Sequence, residues 1–206
     1  SDLDSTPRPL YKIGVNTIAL SGANTYKGPT WIRNGTLRIS SLANVGAASS
    51  ALGAPQNVAD GTLKFGENNT NTVLVYVGNG DESDRKFELA GTTGGATLDH
   101  SGTNLLKLTG SLSSTAAGAK KLTLQGSSAV GDGEFAGVIS DGVAGSQISV
   151  IKAGSGKWIL SNANTFSGGV TNSGGGVLEV AHPNALGSAG VAVFNSGVAT
   201  FDLAHD

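Results

Sequence analysis

The residues best suited to chemistry in this 206-residue chain are three histidines, two acidic clusters and one glycine-lysine turn. His100, His182 and His205 lie far apart, with no His-x-x-His or His-Glu-x-x-His spacing. With no cysteine in the chain, a conventional zinc site is not expected. Gly154-Ser155-Gly156-Lys157 has the look of a phosphate loop, but Ile151 stands where the first glycine belongs and Trp158 where Ser or Thr belongs. The acidic stretch Asn79-Gly80-Asp81-Glu82-Ser83-Asp84 places oxygen ligands at Asp81, Ser83 and Asp84, a weak Ca²⁺ candidate without the twelve-residue loop spacing. Its blander reading is a solvated loop. Asp132, Glu134 and Asp141 raise the idea of a paired-carboxylate glycosidase or lyase. Such an enzyme needs Lys or Arg converging on the same face, and no Arg follows Arg85. No Gly-x-Ser-x-Gly elbow is present. The expectation is a chain with no catalytic residues, no cofactor and no firm metal site.

The elements around these residues point the same way. Gly accounts for 32 residues, aromatics for 5% and charged residues for 14%, against about 25% charged in ordinary soluble domains. Net charge is −2, which favours neither nucleic acid nor an anionic membrane as partner. No stretch approaches the roughly 20 apolar residues of a membrane helix. The chain lacks Met, so it is expected to be a processed form or a segment of a longer protein. Pro7 and Pro9 make residues 1–10 read as an extended arm. From residue 11 to 206, short strands are expected around Ile18, Leu37, Leu63, Val75, Leu89, Leu98, Leu108, Leu122, Ile139, Ile148, Ile159, Leu178, Val193 and Phe201. No helix is expected.

Several of these strands alternate. Val73, Val75 and Val77 share one face, as do Leu122 with Leu124, Trp158 with Leu160, and Phe201 with Leu203. Asn34-Gly35, Asp60-Gly61, Asn79-Gly80, Asp132-Gly133 and Asp141-Gly142 read as turns. Turn chemistry alone suits a sandwich as well as a solenoid; a repeat decides between them. Leu20-Ser21, Asn24-Thr25-Tyr26, Gly28 and the Leu37 strand recur as Leu160-Ser161, Asn164-Thr165-Phe166, Gly168 and the Leu178 strand. Trp158 precedes the second copy, in Lys152-Ala153-Gly154-Ser155-Gly156-Lys157-Trp158. Each copy has a similar tail, Ser50-Ala51-Leu52-Gly53 and Asn184-Ala185-Leu186-Gly187, so the copies extend over about residues 11–65 and 150–203.

This phrase resembles the passenger-associated transport repeat of bacterial autotransporters. The resemblance implies an all-β, right-handed parallel β-helix at the bacterial surface or outside the cell. At roughly 20–25 residues per coil the chain would make about nine coils. Asn24 and Asn164 are then expected to stack as a polar ladder or to cap corners, and Tyr26 and Phe166 to pack at the core or a corner. A non-catalytic structural segment follows, a stalk or filament that contacts further copies or neighbouring repeats. An adhesin-type module for a glycan or protein is the alternative, and a polysaccharide lyase or hydrolase the third reading. An enzyme should bury clustered carboxylates, a binder should expose an aromatic platform, and a scaffold should do neither.

Overall fold

Short β-rich segments separated by glycine turns can bury a face only by stacking on one another, and they do so here coil by coil. The computed structural model describes residues 7–127, 131–188, 193–195 and 200–204. The chain opens with β1 (Leu10–Lys12) and β2 (Thr17–Leu20), followed by β3 (Thr30–Ile32) and β4 (Gly35–Ile39). A helical turn α1 (Val58–Gly61) leads into β5 (Leu63–Phe65), β6 (Asn71–Tyr76) and β7 (Asp81–Ser83). The three-strand pattern repeats as β8 (Phe87–Leu89), β9 (Gly94–His100) and β10 (Leu106–Leu108), then β11 (Leu112–Ser114), β12 (Gly118–Gln125) and β13 (Gly133–Phe135). It continues with β14 (Ile139–Ser140), β15 (Ser146–Lys152) and β16 (Lys157–Leu160), then β17 (Val170–Asn172), β18 (Val177–Val180), β19 (Val193–Asn195) and β20 (Thr200–Leu203).

Between β5 and β16 every third strand joins the same sheet, and towards either end every second one does. One sheet runs β1-β3-β5-β8-β11-β14, a second β2-β4-β6-β9-β12-β15-β17-β19, and a third β7-β10-β13-β16-β18-β20. All the strand pairings are parallel, which gives an all-β chain of stacked coils. The longest sheet has 8 strands among the described residues. Inside, residues in register form columns about 4.8 Å apart. Leu37, Leu74, Leu98 and Leu124 make one such column. Phe65 and Phe87 stack with centroids 6.1 Å apart, and Phe87 meets Phe135 at 5.7 Å.

Four sequence expectations change in detail. Each expected strand centre lies in a strand, but β1, β3, β7, β11, β13 and β17 are additional. They are short, and several carry polar residues, so apolar clustering does not reveal them. Strand β1 already includes Leu10, the last residue of the expected arm, whose first six residues lie outside the described ones. A one-turn helix does form: the Asn57 side chain accepts from the Asp60 amide and Thr62 donates to the Val58 carbonyl. In β6 the buried face is Thr72, Leu74 and Tyr76, not the valine face. Both faces of that strand are apolar, so alternation cannot choose between them. Pairing of Leu74 with Leu37 and Leu98 does.

Two of the five glycine dipeptides are also not open turns. Gly61 ends the helical turn. Gly133 opens β13 opposite Trp158, and a methyl group there would stand 2.6 Å from the indole ring. Glycine makes room for the largest fully buried side chain.

Candidate functional site

The repeated phrase builds a two-part clip. Asn164 is buried; its amide donates to the Ala185 carbonyl at 2.7 Å, and its oxygen accepts from the Ile139 amide at 2.8 Å. Asn24 makes the matching bond to the Ala51 carbonyl at 2.9 Å, from a half-buried position. Each repeat asparagine therefore grips the alanine of its own tail, and caps a corner rather than forming a ladder. The following aromatic completes the clip. The Phe166 carbonyl accepts from Ser188 and the Tyr26 carbonyl from Ala54. Gly187 and Gly53 adopt φ of +93° and +74° beneath these rings, where a methyl group would lie 2.5 and 2.2 Å from the aromatic residue's own carbonyl oxygen. Phe166 is fully buried, and Tyr26 hydrogen bonds with Thr30 at 2.7 Å.

The other repeat residues are structural in the same sense. Leu37, Trp158, Leu160 and Leu178 are buried in the core, with Leu20 packed against it. Thr25 and Thr165 are exposed. Gly28 and Gly168 sit where the neighbouring chain passes, at Arg8 and Ile148.

The start of the phrase supplies a feature that sequence reading missed. Lys12 and Lys152 point inward and are buried. Lys12 Nζ donates to the carbonyls of Ile13, Gly14 and Asn34, and Lys152 Nζ to those of Ala153 and Gly154. Lys120 repeats the arrangement with Ala116, Ala117 and Gly118. Each ammonium is crowned by backbone oxygens, with no carboxylate partner among the described residues. Burial pushes Lys152 down to about 8, and pushes Lys12 and Lys120 down as well. The recurring Lys-x-Gly at 12–14 and 152–154 was the available signal.

The acidic stretch 79–84 staples a loop. Asp81 accepts from the Leu42 amide and the Tyr76 hydroxyl, Ser83 donates to Ala43, and Asp84 accepts from Val45. Beside it, buried Arg85 donates to the carbonyls of Ala43, Leu52 and Gly53 and to Ser50 Oγ. The oxygens offered to Ca²⁺ by sequence are thus engaged in holding residues 41–53. Among the described residues no group of three His, Asp or Glu side chains gathers.

The remaining candidates are separated likewise. Asp132 and Glu179 flank Lys157 at 3.6 and 2.6 Å, Glu134 pairs with Lys107 at 3.5 Å, and Asp141 accepts from the amides of Ile148 and Ser167. Lys157, the lysine of the apparent phosphate loop, belongs to this ion-pair ladder. His100 is buried against Tyr76, and His182 accepts from the Asn184 amide. His205 lies outside the described residues.

One outward group differs from these clips. Tyr11 and Trp31 are register partners on adjacent coils and both project away from the core. Their centroids are 6.0 Å apart, and the Arg33 guanidinium lies 4.6 Å from one ring and 4.4 Å from the other.

Comparison with known proteins matches the repeat. A family model described as passenger-associated-transport-repeat matches residues 10–39 and again 150–180. The adhesin BmaC autotransporter of Brucella suis biovar 1 (strain 1330) is 37% identical over 188 residues, 91% of this chain. The chain spans 5% of that relative's length. No solved structure matches.

Proposed function

This chain is an autotransporter passenger-associated repeat protein, and from that premise we propose that it serves as a non-catalytic, surface-exposed segment of an adhesin-like passenger. It forms a right-handed β-helical stalk of about nine coils at roughly 20–25 residues each. One observation carries the reading: the buried asparagine of the repeat and the buried Arg85 close a corner and fasten a loop, in the Asn164–Ala185 clip and the Arg85 loop anchor. The similarity to a protein named as an adhesin supports a surface location and a role in contact. Stacking on further coils, of a longer chain or a second copy, is supported by the exposed Ile13, Val15 and Ile18 at the first coil and by the outer edges of β1 and β2, which pair with no further strand among the described residues.

Adhesion assays test the proposal. A bacterium displaying the intact passenger should lose host-cell attachment when residues 10–204 are deleted in frame, and the purified segment should compete for attachment. Undiminished attachment together with no competition sinks the reading, as would turnover of a polysaccharide by the purified segment.

A further inference from the structure

Strand alternation sends one residue inward and the next outward, so an aromatic facing outward forgoes burial in the core. Tyr11, 47% exposed, and Trp31 do so side by side, and the tilt of 50° between their rings leaves an open wedge rather than a closed stack. Trp31 is fixed in place, because its Nε1 donates to the Gly66 carbonyl at 2.9 Å. Arg33 is fixed too, by its position over both rings.

The charge around Arg33 is incompletely answered. Glu67 reaches only 3.8 Å from Nη1, beyond hydrogen-bond distance, and Nε is buried without an acceptor among the described residues. The next cation in the column, Lys64, is instead paired with Glu88 at 3.2 Å. The buried Nε is out of a ligand's reach, but Glu67 holds Nη1 only loosely, so the Nη groups of this part-exposed guanidinium can take the two oxygens of a single carboxylate. The rings beside it offer apolar faces of the kind that pack against a sugar ring. An acidic peptide is a poorer fit: it needs several free cations, and the nearby Lys64 is already paired with Glu88.

We propose that Tyr11, Trp31 and Arg33 form a binding site for an acidic saccharide, with its carboxylate on Arg33 and its ring against the aromatic pair. Both rings lie on the outward face of the sheet, at its β1 edge. The site rests on the adhesin reading only for its exposure at a cell surface.

Fluorescence titration of the purified chain with 3′-sialyllactose tests this. Trp158 is fully buried, so a change in emission reports Trp31. Sialyllactose should give a saturable change and lactose none. Arg33→Gln should weaken binding on the order of tenfold or more, since a charge-assisted pair is lost. Arg33→Lys, which keeps the charge but loses the fork, should weaken it as well, and Glu67→Gln should tighten it. Each variant's fold is checked by circular dichroism, and Arg33→Lys stands in if the glutamine variant fails to fold. Equal binding of lactose, unchanged binding in both Arg33 variants, tighter binding of tetraglutamate, or no saturable response overturns the proposal. Loss of this binding with host-cell attachment preserved would remove the site and leave the adhesin reading intact.

Discussion

The two copies of the repeat provide an internal comparison for the asparagine clip. Asn164→Ala removes a donor to Ala185 and an acceptor from Ile139, both in a fully buried place. Each orphaned buried group costs about 1–3 kcal/mol, so the variant should lose roughly 2–5 kcal/mol. Asn24→Ala removes one bond at a half-buried site and should lose about 0.5–1.5 kcal/mol. At about 2–4 °C per kcal/mol for a chain this long, the two melting shifts should separate clearly. Solenoid stability is a sum of local terms, so amide exchange should quicken first around Ile139 and Ala185.

Asn164→Asp sharpens the test. Its carboxylate would keep the acceptor for Ile139 but face the Ala185 carbonyl, 2.7 Å from the present amide nitrogen. Burial and that carbonyl raise the folded-state pKa above the unfolded value, so the folded form holds the extra proton. Stability of this variant should therefore fall as pH rises towards 7 and recover towards pH 4.5, where the protonated acid can donate. The reasoning fails if Asn164→Ala costs no more than Asn24→Ala. It fails equally if the deficit of the aspartate variant, relative to the native chain, is the same at both pH values.

Two further predictions concern the core. Gly133→Ala should destabilise by about 1–3 kcal/mol through overlap with the Trp158 ring. In a Trp158→Leu background that penalty should largely vanish, and a double-mutant cycle by urea unfolding that gives additive effects would refute the packing argument. Lys152 binds its proton less tightly when folded, with the folded value near 8 against 10.5 ordinarily. The unfolded chain then carries more protons between those values, and native stability should rise with pH across that window, by up to about 1.4 kcal/mol per unit. Lys152→Met should remove that component of the slope in melting scans from pH 7.5 to 10.5; parallel curves for the two proteins would count against it.

What sequence reveals in such a chain depends on whether a signal is local or depends on register. The repeat, the strand centres and the parallel coils are local signals, carried by clusters such as Leu122-Thr123-Leu124 and by the matched Asn24 and Asn164 phrases. The valine face of β6 was misread because an alternation of apolar residues on both faces carries no direction. Gly133 was misread for a related reason: nothing in Asp132-Gly133 announces a tryptophan in the adjacent coil. The buried lysines escaped notice because charge argues for exposure until a crown of carbonyls is seen.

Register also explains why the acidic residues that first drew attention do not converge. In a stacked coil, two residues meet only when they fall on the same column of neighbouring coils, whatever their separation in sequence. Asp81 and Asp132 are inward or corner positions of different coils, each captured by a neighbouring loop or lysine. Tyr11 and Trp31 fall on one outward column, with Arg33 two residues further along the same strand line. The turns between strands differ in length while the columns hold, as Leu10, Thr30, Leu63 and Phe87 show, so strand pairing keeps Trp31 beside Tyr11. Strand register, more than nearness in sequence, therefore decides which surface groups this fold presents together. An insertion of one residue between Thr30 and Trp31, inside β3, should for that reason turn Trp31 to the other face and abolish the cation–aromatic contact and, with it, the response to sialyllactose, while an insertion in the 21–29 turn should leave both in place.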